Sequence, residues 1–211
     1  MTPHRGARVL VAGAALLLGG CVPWPPEPVP PPPTPSPTDA VVVGQGGLPG
    51  LEVRRDLLDV SVAELESALG AEGEMLLAPQ SGSCGLASLE DAGVAAVTDD
   101  DQAVLAYVLE RADVRTTEGV AVGSSVEDVL RTYGDLAVVL DTVSVTGGPV
   151  VVVRDLEQPD RSPEGTLTYG FDTGADGRVT RVRAGLWPWT AHAAYCDDEA
   201  PHAGATGWPL G

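Results

Sequence analysis

The apolar positions of this chain fall into two kinds of pattern, and both occur twice. Ser61-Val-Ala-Glu64-Leu65-Glu66-Ser67-Ala68-Leu69-Gly70 and Ser125-Val-Glu-Asp128-Val129-Leu130-Arg131-Thr132-Tyr133-Gly134 superpose without a gap at an offset of 64 residues. In each, apolar residues at spacings of three and four (Val62/Val126, Leu65/Val129, Leu69/Tyr133) put one stripe on one face of a short helix. Each opens on a Ser whose hydroxyl can accept from an orphan N–H, followed three residues later by an acid near the positive helix end. Each stops at Gly, which takes the left-handed conformation without Cβ strain. Helices this short survive only when packed on something.

The partners are short strands in the same order in both halves. After the first helix come Met75 to Ala78, Leu86 to Leu89, Val94 to Thr98 and Ala103 to Leu109, the last two joined by Asp99-Asp100-Asp101. After the second come Leu136 to Leu140, Val150 to Arg154, Thr166 to Phe171 and Arg178 to Ala184, the last two joined across Asp172 to Gly177. Val179 and Val182 do not alternate strictly with Arg178, Arg181 and Arg183, so a bulge or an early end is expected there. Short helices followed by antiparallel meanders predict an α+β fold of two tandem units, 39–118 and 119–199, each a helix on its own sheet. The second face of each sheet is then left for solvent or a partner, and residues 200–211 form a flexible tail.

The N-terminal region follows different rules. Met1 to Arg8 carries His4, Arg5 and Arg8 and no acid, and Val9 to Leu18 is an apolar run of ten, too short for a bilayer core that needs about 20 residues. Residues 1–20 therefore read as a secretory signal. It ends in Leu18-Gly19-Gly20-Cys21, which resembles the bacterial lipobox, whose Cys thiol receives the lipid. Diacylglyceryl plus an N-terminal acyl chain satisfies the two-signal requirement for stable anchoring. The expected location is the extracytoplasmic face of the cell membrane, held by lipid and not by a helix. From Val22 to Thr38 ten of seventeen residues are Pro, which excludes helix and sheet and predicts polyproline II. With the lipidated Cys it makes up the segment 21–38, and at about 3.1 Å per residue its seventeen residues span roughly 50 Å, far beyond a Debye length of about 8 Å. It reads as a spacer; the rival use is as a ligand for a Pro-binding groove.

Charge sharpens this picture. Twelve cations, all Arg, stand against 30 acids, for a net charge of −18, and there is no Lys, Asn or Ile, as expected of a GC-rich genome. Losing the signal removes two arginines and brings the body to −20. Such a chain is repelled by phosphate backbones, so nucleic acid is excluded as a partner.

Gly119-Val-Ala-Val-Gly123-Ser124-Ser125 through Gly134, followed by Gly177-Arg178-Val179-Thr180-Arg181-Val182-Arg183-Ala184-Gly185 and a late Cys196, resembles bacterial envelope lipoproteins of the SmpA/OmlA type and the β-lactamase-inhibitor-protein-like fold. With the helix signature repeated at Leu58 to Gly70, the resemblance covers most of Val53 to Cys196. It implies a non-enzymatic module that binds protein through the open face of a sheet. The first unit departs from it in having Asp59-Val60-Ser61 where Gly-x-Ser is expected, and the second has an enlarged hairpin tip.

With Cys21 committed to lipid, Cys84 and Cys196 remain in an oxidising compartment, where an even remainder usually pairs. The rival is a reactive thiol, but neither Cys lies in a Cys-x-x-Cys pair or beside a basic residue. After signal removal only His192 and His202 remain, both in the last twenty residues, and no nucleophile, zinc or phosphate-loop motif occurs. No catalytic residue and no cofactor is therefore assigned. Asp172-Thr-Gly-Ala-Asp176-Gly177 shares three positions with an EF-hand loop, but Gly174 and Arg183 occupy ligand positions, so no metal is assigned there. Asp99-Asp100-Asp101 reads as turn chemistry or a weak Ca²⁺ site.

The candidate binding surface is the strip Arg178, Arg181, Arg183, Trp187, Trp189 and Tyr195, since Trp, Tyr and Arg dominate interface hot spots. The alternative is that Trp187 and Trp189 are core residues capping the sheet. The expected function is an envelope-assembly or protein-binding module with an envelope or secreted partner; the second reading is a carbohydrate or small-ligand binder using the same strip.

Overall fold

The computed structural model describes residues 40–53, 60–70, 73, 75–81, 84–161 and 165–191. The chain divides into units Met1–Thr34 and Pro35–Gly211, and all described residues belong to the second. The signal segment, Cys21, the Pro-rich linker, Tyr195, Cys196, both late histidines and the tail lie outside the described residues.

In chain order the elements are β1 (Val41–Val43), β2 (Gly47–Leu48), β3 (Leu51–Glu52), α1 (Val62–Leu69), β4 (Leu76–Ser81), β5 (Cys84–Leu89), β6 (Val94–Thr98), β7 (Val104–Leu109), β8 (Val114–Thr116), α2 (Val126–Tyr133), β9 (Ala137–Val143), β10 (Gly147–Val153), β11 (Leu167–Gly174) and β12 (Val179–Leu186). Both helices begin in capping boxes. Ser61 Oγ accepts from the Glu64 N–H while Glu64 accepts from the Ser61 N–H at 2.8 Å, and Ser125 and Asp128 repeat the exchange. Gly70 closes α1 in the left-handed conformation, φ 67° and ψ 26°. Gly134 instead takes φ 55° and ψ −132° and leads into a 3₁₀ turn, Gly134–Leu136.

The expected α+β class with two tandem helix-on-meander units does not hold. Among the described residues the fold is mostly β, with one antiparallel sheet of eight strands in the order β4-β5-β6-β7-β12-β11-β10-β9, two small two-stranded pairings and two eight-residue helices. The joint is β7 against β12, with Val182 opposite Leu109 and Gly185 opposite Ala106. All six residues of β7 are buried, so it sits as a central strand and its backbone groups need partners on both sides. The last strand of the first meander finds them on the last strand of the second. Consequently the helices share one core: Val62 and Leu65 of α1 and Val129 and Tyr133 of α2 belong to the same cluster as Tyr107, Leu109, Val151, Tyr169, Phe171 and Val182. A register shift lies between Asp172 and Thr173, in the β11–β12 pairing.

The N-terminal strands close this helix-bearing side. β1 runs parallel to β8, with Val41 opposite Val114 and Val43 opposite Thr116. Tyr169 Oη donates to the Val43 carbonyl at 2.9 Å, and Tyr107 Oη donates to that of Leu51 at 2.7 Å. Gln45 reaches 109 residues along the chain to donate to the Arg154 carbonyl at 2.9 Å, and its own Oε1 accepts from the Leu156 N–H at 2.8 Å.

The second face of the sheet is not simply left open either. The segment following β12 turns back over it: Trp187 and Ala191 pack with Val150, Val152 and Leu140, and Trp189 packs with Cys84, Val97, Ala106 and Val108. Gly170 makes this possible, because a Cβ there would overlap the Thr190 carbonyl oxygen. Thr168 and Thr190 hydrogen-bond through their hydroxyls at the same crossing.

Candidate functional site

The arginines of the sequence-predicted strip are distributed, not gathered. Arg178 is exposed at the approach to β12, with its guanidinium donating to the Gly123 carbonyl at 2.8 Å. Arg181 is largely covered and pairs with Glu110. Arg183 is fully buried and pairs with the equally buried Asp172. The ring of Trp187 is 5% exposed, so it belongs to the packing of the second face, while Trp189 is half-buried. These residues therefore do not form one solvent-facing strip among the described residues.

On the helix side, Tyr133, Tyr169 and Phe171 form a triangle of rings with centroids 5.9–6.1 Å apart. Tyr133 Oη lies 2.7 Å from Thr116 Oγ1 and donates to Glu118 Oε2 at 2.9 Å. Burial raises the hydroxyl pKa of Tyr169 to about 12 and that of Tyr133 further. Both are thus held protonated as donors, which suits them to bracing the N-terminal strands and β8, and not to acting as bases at neutral pH.

The acidic tips are built as turns. Asp99 Oδ1 accepts from the N–H groups of Asp101 at 3.0 Å and Ala103 at 2.8 Å, the local geometry that favours Asp in a hairpin turn. Asp172 is committed to Arg183. Among the described residues no three His, Cys, Asp or Glu side chains cluster so as to hold a metal ion. No helix among them is long and apolar enough to cross a membrane.

What the structure adds is at the edge of the sheet. Of the four large apolar side chains that stand exposed among the described residues, three lie on β9 or the turn after it: Val139 at 44%, Val143 at 66% and Val145 at 57%. Single exposed apolar residues are ordinary, but three within seven positions make a patch. Ala137-Val-Val-Leu-Asp-Thr-Val143 shows the signal in sequence, an apolar strand without Lys or Pro, but only the strand order reveals that it is an edge.

No family model, curated protein or solved structure matches this chain.

Proposed function

We propose that this chain is a lipid-anchored extracytoplasmic lipoprotein that works as a non-enzymatic module, docking an envelope or secreted protein. The observation that carries the reading is the apolar patch of Val139, Val143 and Val145 kept on the surface of a chain with net charge −18. Exposed valines lower solubility, and apolar side chains gathered on a surface are the usual mark of a contact surface. Leu18-Gly19-Gly20-Cys21 supports the anchor, and the Pro-rich stretch supports a stand-off that keeps an acidic body clear of an anionic membrane.

The test is an affinity pull-down from detergent-solubilised envelope with the oxidised mature chain as bait, at low and physiological salt. A stoichiometric protein partner is expected. Recovery of glycan that survives proteolysis of the extract, with no protein, would overturn the reading in favour of a carbohydrate binder.

A further inference from the structure

The two edges of the eight-stranded sheet are not alike. At one end β4 carries Pro79, which has no N–H to offer, and its pairing with β5 shifts register between Ala78 and Ser81. A proline and a bulge are the devices by which natural sheets blunt an edge. At the other end β9 is seven residues long, contains neither Pro nor a cation, and is hydrogen-bonded among the described residues to β10 alone.

The register says which groups are unused. The Arg154 N–H donates to the Leu136 carbonyl at 2.9 Å, and Val138 lies opposite Val152. By the alternation of an antiparallel ladder, Leu136 and Val138 turn their backbone groups toward β10, whereas Ala137 and Val139, opposite Val153 and Val151, turn theirs away from it; the Ala137 N–H already donates to the Gly134 carbonyl, so the outward groups are the Ala137 carbonyl and the N–H and carbonyl of Val139. The outward row of donors and acceptors is therefore accompanied by the exposed side chains of Val139 and Val143.

Charge selects the occupant. From Gly134 to Val153 the ionisable residues are Asp135 and Asp141, and the next residue, Arg154, has its guanidinium turned onto the Asp135 carbonyl at the start of the edge, which leaves the stretch net negative. A second copy of the chain would bring a further net charge of −18 against this edge. A strand carrying cations meets complementary charge instead.

We propose that the outer edge of β9 receives an extended segment of a partner protein as a ninth strand, apolar on alternate positions and flanked by Lys or Arg. This rests on the protein-docking reading above and specifies its surface. Main-chain bonds to the Ala137 carbonyl and to both backbone groups of Val139 hold the segment, and the exposed valines read its alternate side chains.

The test uses the mature full-length protein in detergent and a short synthetic peptide of alternating Val and Thr flanked by Lys. Calorimetric titration should show binding that weakens with salt, and amide exchange should slow at Val139 while Ala137 and Val138, already bonded, change little. Val139→Pro removes one outward N–H and should weaken binding by about tenfold or more. Should that variant fail to fold, N-methylating alternate residues of the peptide removes the same bonds without touching the protein. Undiminished binding of the N-methylated peptide, equal binding of a Glu-flanked peptide, protection appearing on another strand, or a dimer in sedimentation at micromolar concentration would each overturn the proposal. A pulled-down partner whose binding ignores Val139→Pro overturns the edge and leaves the docking module standing. Peptide binding at β9 with no partner from the envelope does the reverse.

Discussion

Arg183 and Asp172 meet diagonally across β12 and β11, the guanidinium Nε 3.0 Å from Oδ2 and Nη2 on Oδ1, with neither side chain exposed to solvent. Gly170, directly opposite Arg183, presents no side chain, and the Thr190 carbonyl occupies the space a Cβ would need. A charge pair is thereby sealed between the sheet and the segment that folds back over it.

Such a pair stabilises less than its geometry suggests but is costly to break from one side. Arg183→Met should therefore destabilise the protein by about 3–5 kcal/mol, because the Asp172 carboxylate is left buried with its main partner gone. Arg183→Met combined with Asp172→Val should recover a large part of that loss. Chemical denaturation of the two single variants and the double variant gives the coupling; additive losses would show that the two side chains do not act as a unit.

Trp187→Ala removes a ring that fills the space over Val150, Val152 and Leu140, and a loss of about 3–5 kcal/mol is expected. Trp189→Ala, half-buried, should cost less. Gly170→Ala should loosen the same segment from beneath by pushing on Thr190, at about 1–3 kcal/mol, with a red shift of tryptophan fluorescence. Should Trp187→Ala keep full stability and lose partner binding, the ring is part of an interface and not of the core.

Alkali should unfold the protein through its tyrosines. Burial holds Tyr107, Tyr133 and Tyr169 protonated in the folded state, Tyr169 up to about 12 and the other two higher, against about 10 in an unfolded chain. A folded pKa above the unfolded one means that the contribution is complete below pH ~10 and declines as pH rises toward and past the folded value. Tyrosinate absorbance and loss of β circular dichroism should therefore rise together above pH ~10. Tyrosinate forming well before any loss of structure would contradict this.

The contrast between what the sequence made legible and what it hid has a physical pattern. The caps at Ser61 and Ser125 are local, since the acid three residues on completes them, and they formed as read. The strands, too, are local periodicities. The pairing of β7 with β12 joins residues 73 apart, Leu109 to Val182, and depends on both faces of both strands being covered. Val104-Leu-Ala-Tyr-Val-Leu109 did carry a hint, because an unbroken apolar run marks a strand without a solvated face. In β12 the matching hint was masked by Arg183, a cation whose neutralising Asp172 stands at the start of a stretch that resembles a turn. For the same reason the Arg and Trp strip looked like a surface: composition cannot tell a guanidinium in water from one sealed against a carboxylate.

The thiols provide a test that depends on neither the docking surface nor the fold class. Cys84 is buried on the second face, in the cluster that Trp189 packs against. Cys196 follows Trp189 by seven residues, and an extended chain covers about 23 Å over that distance, so the end of the chain has ample length to bring its sulphur to Cys84. A Cys84–Cys196 disulfide would close a loop of about 110 residues, worth on the order of 4–5 kcal/mol in the chain-entropy treatment. Native labelling is uninformative for a residue as buried as Cys84, so thiols should be counted in the denatured, unreduced mature protein. None is expected, and reduction should lower the melting temperature by several degrees. Two titratable thiols would eliminate the bridge, and the packing of Trp189 over Cys84 would then have to hold the C-terminal segment to the sheet without a covalent tie.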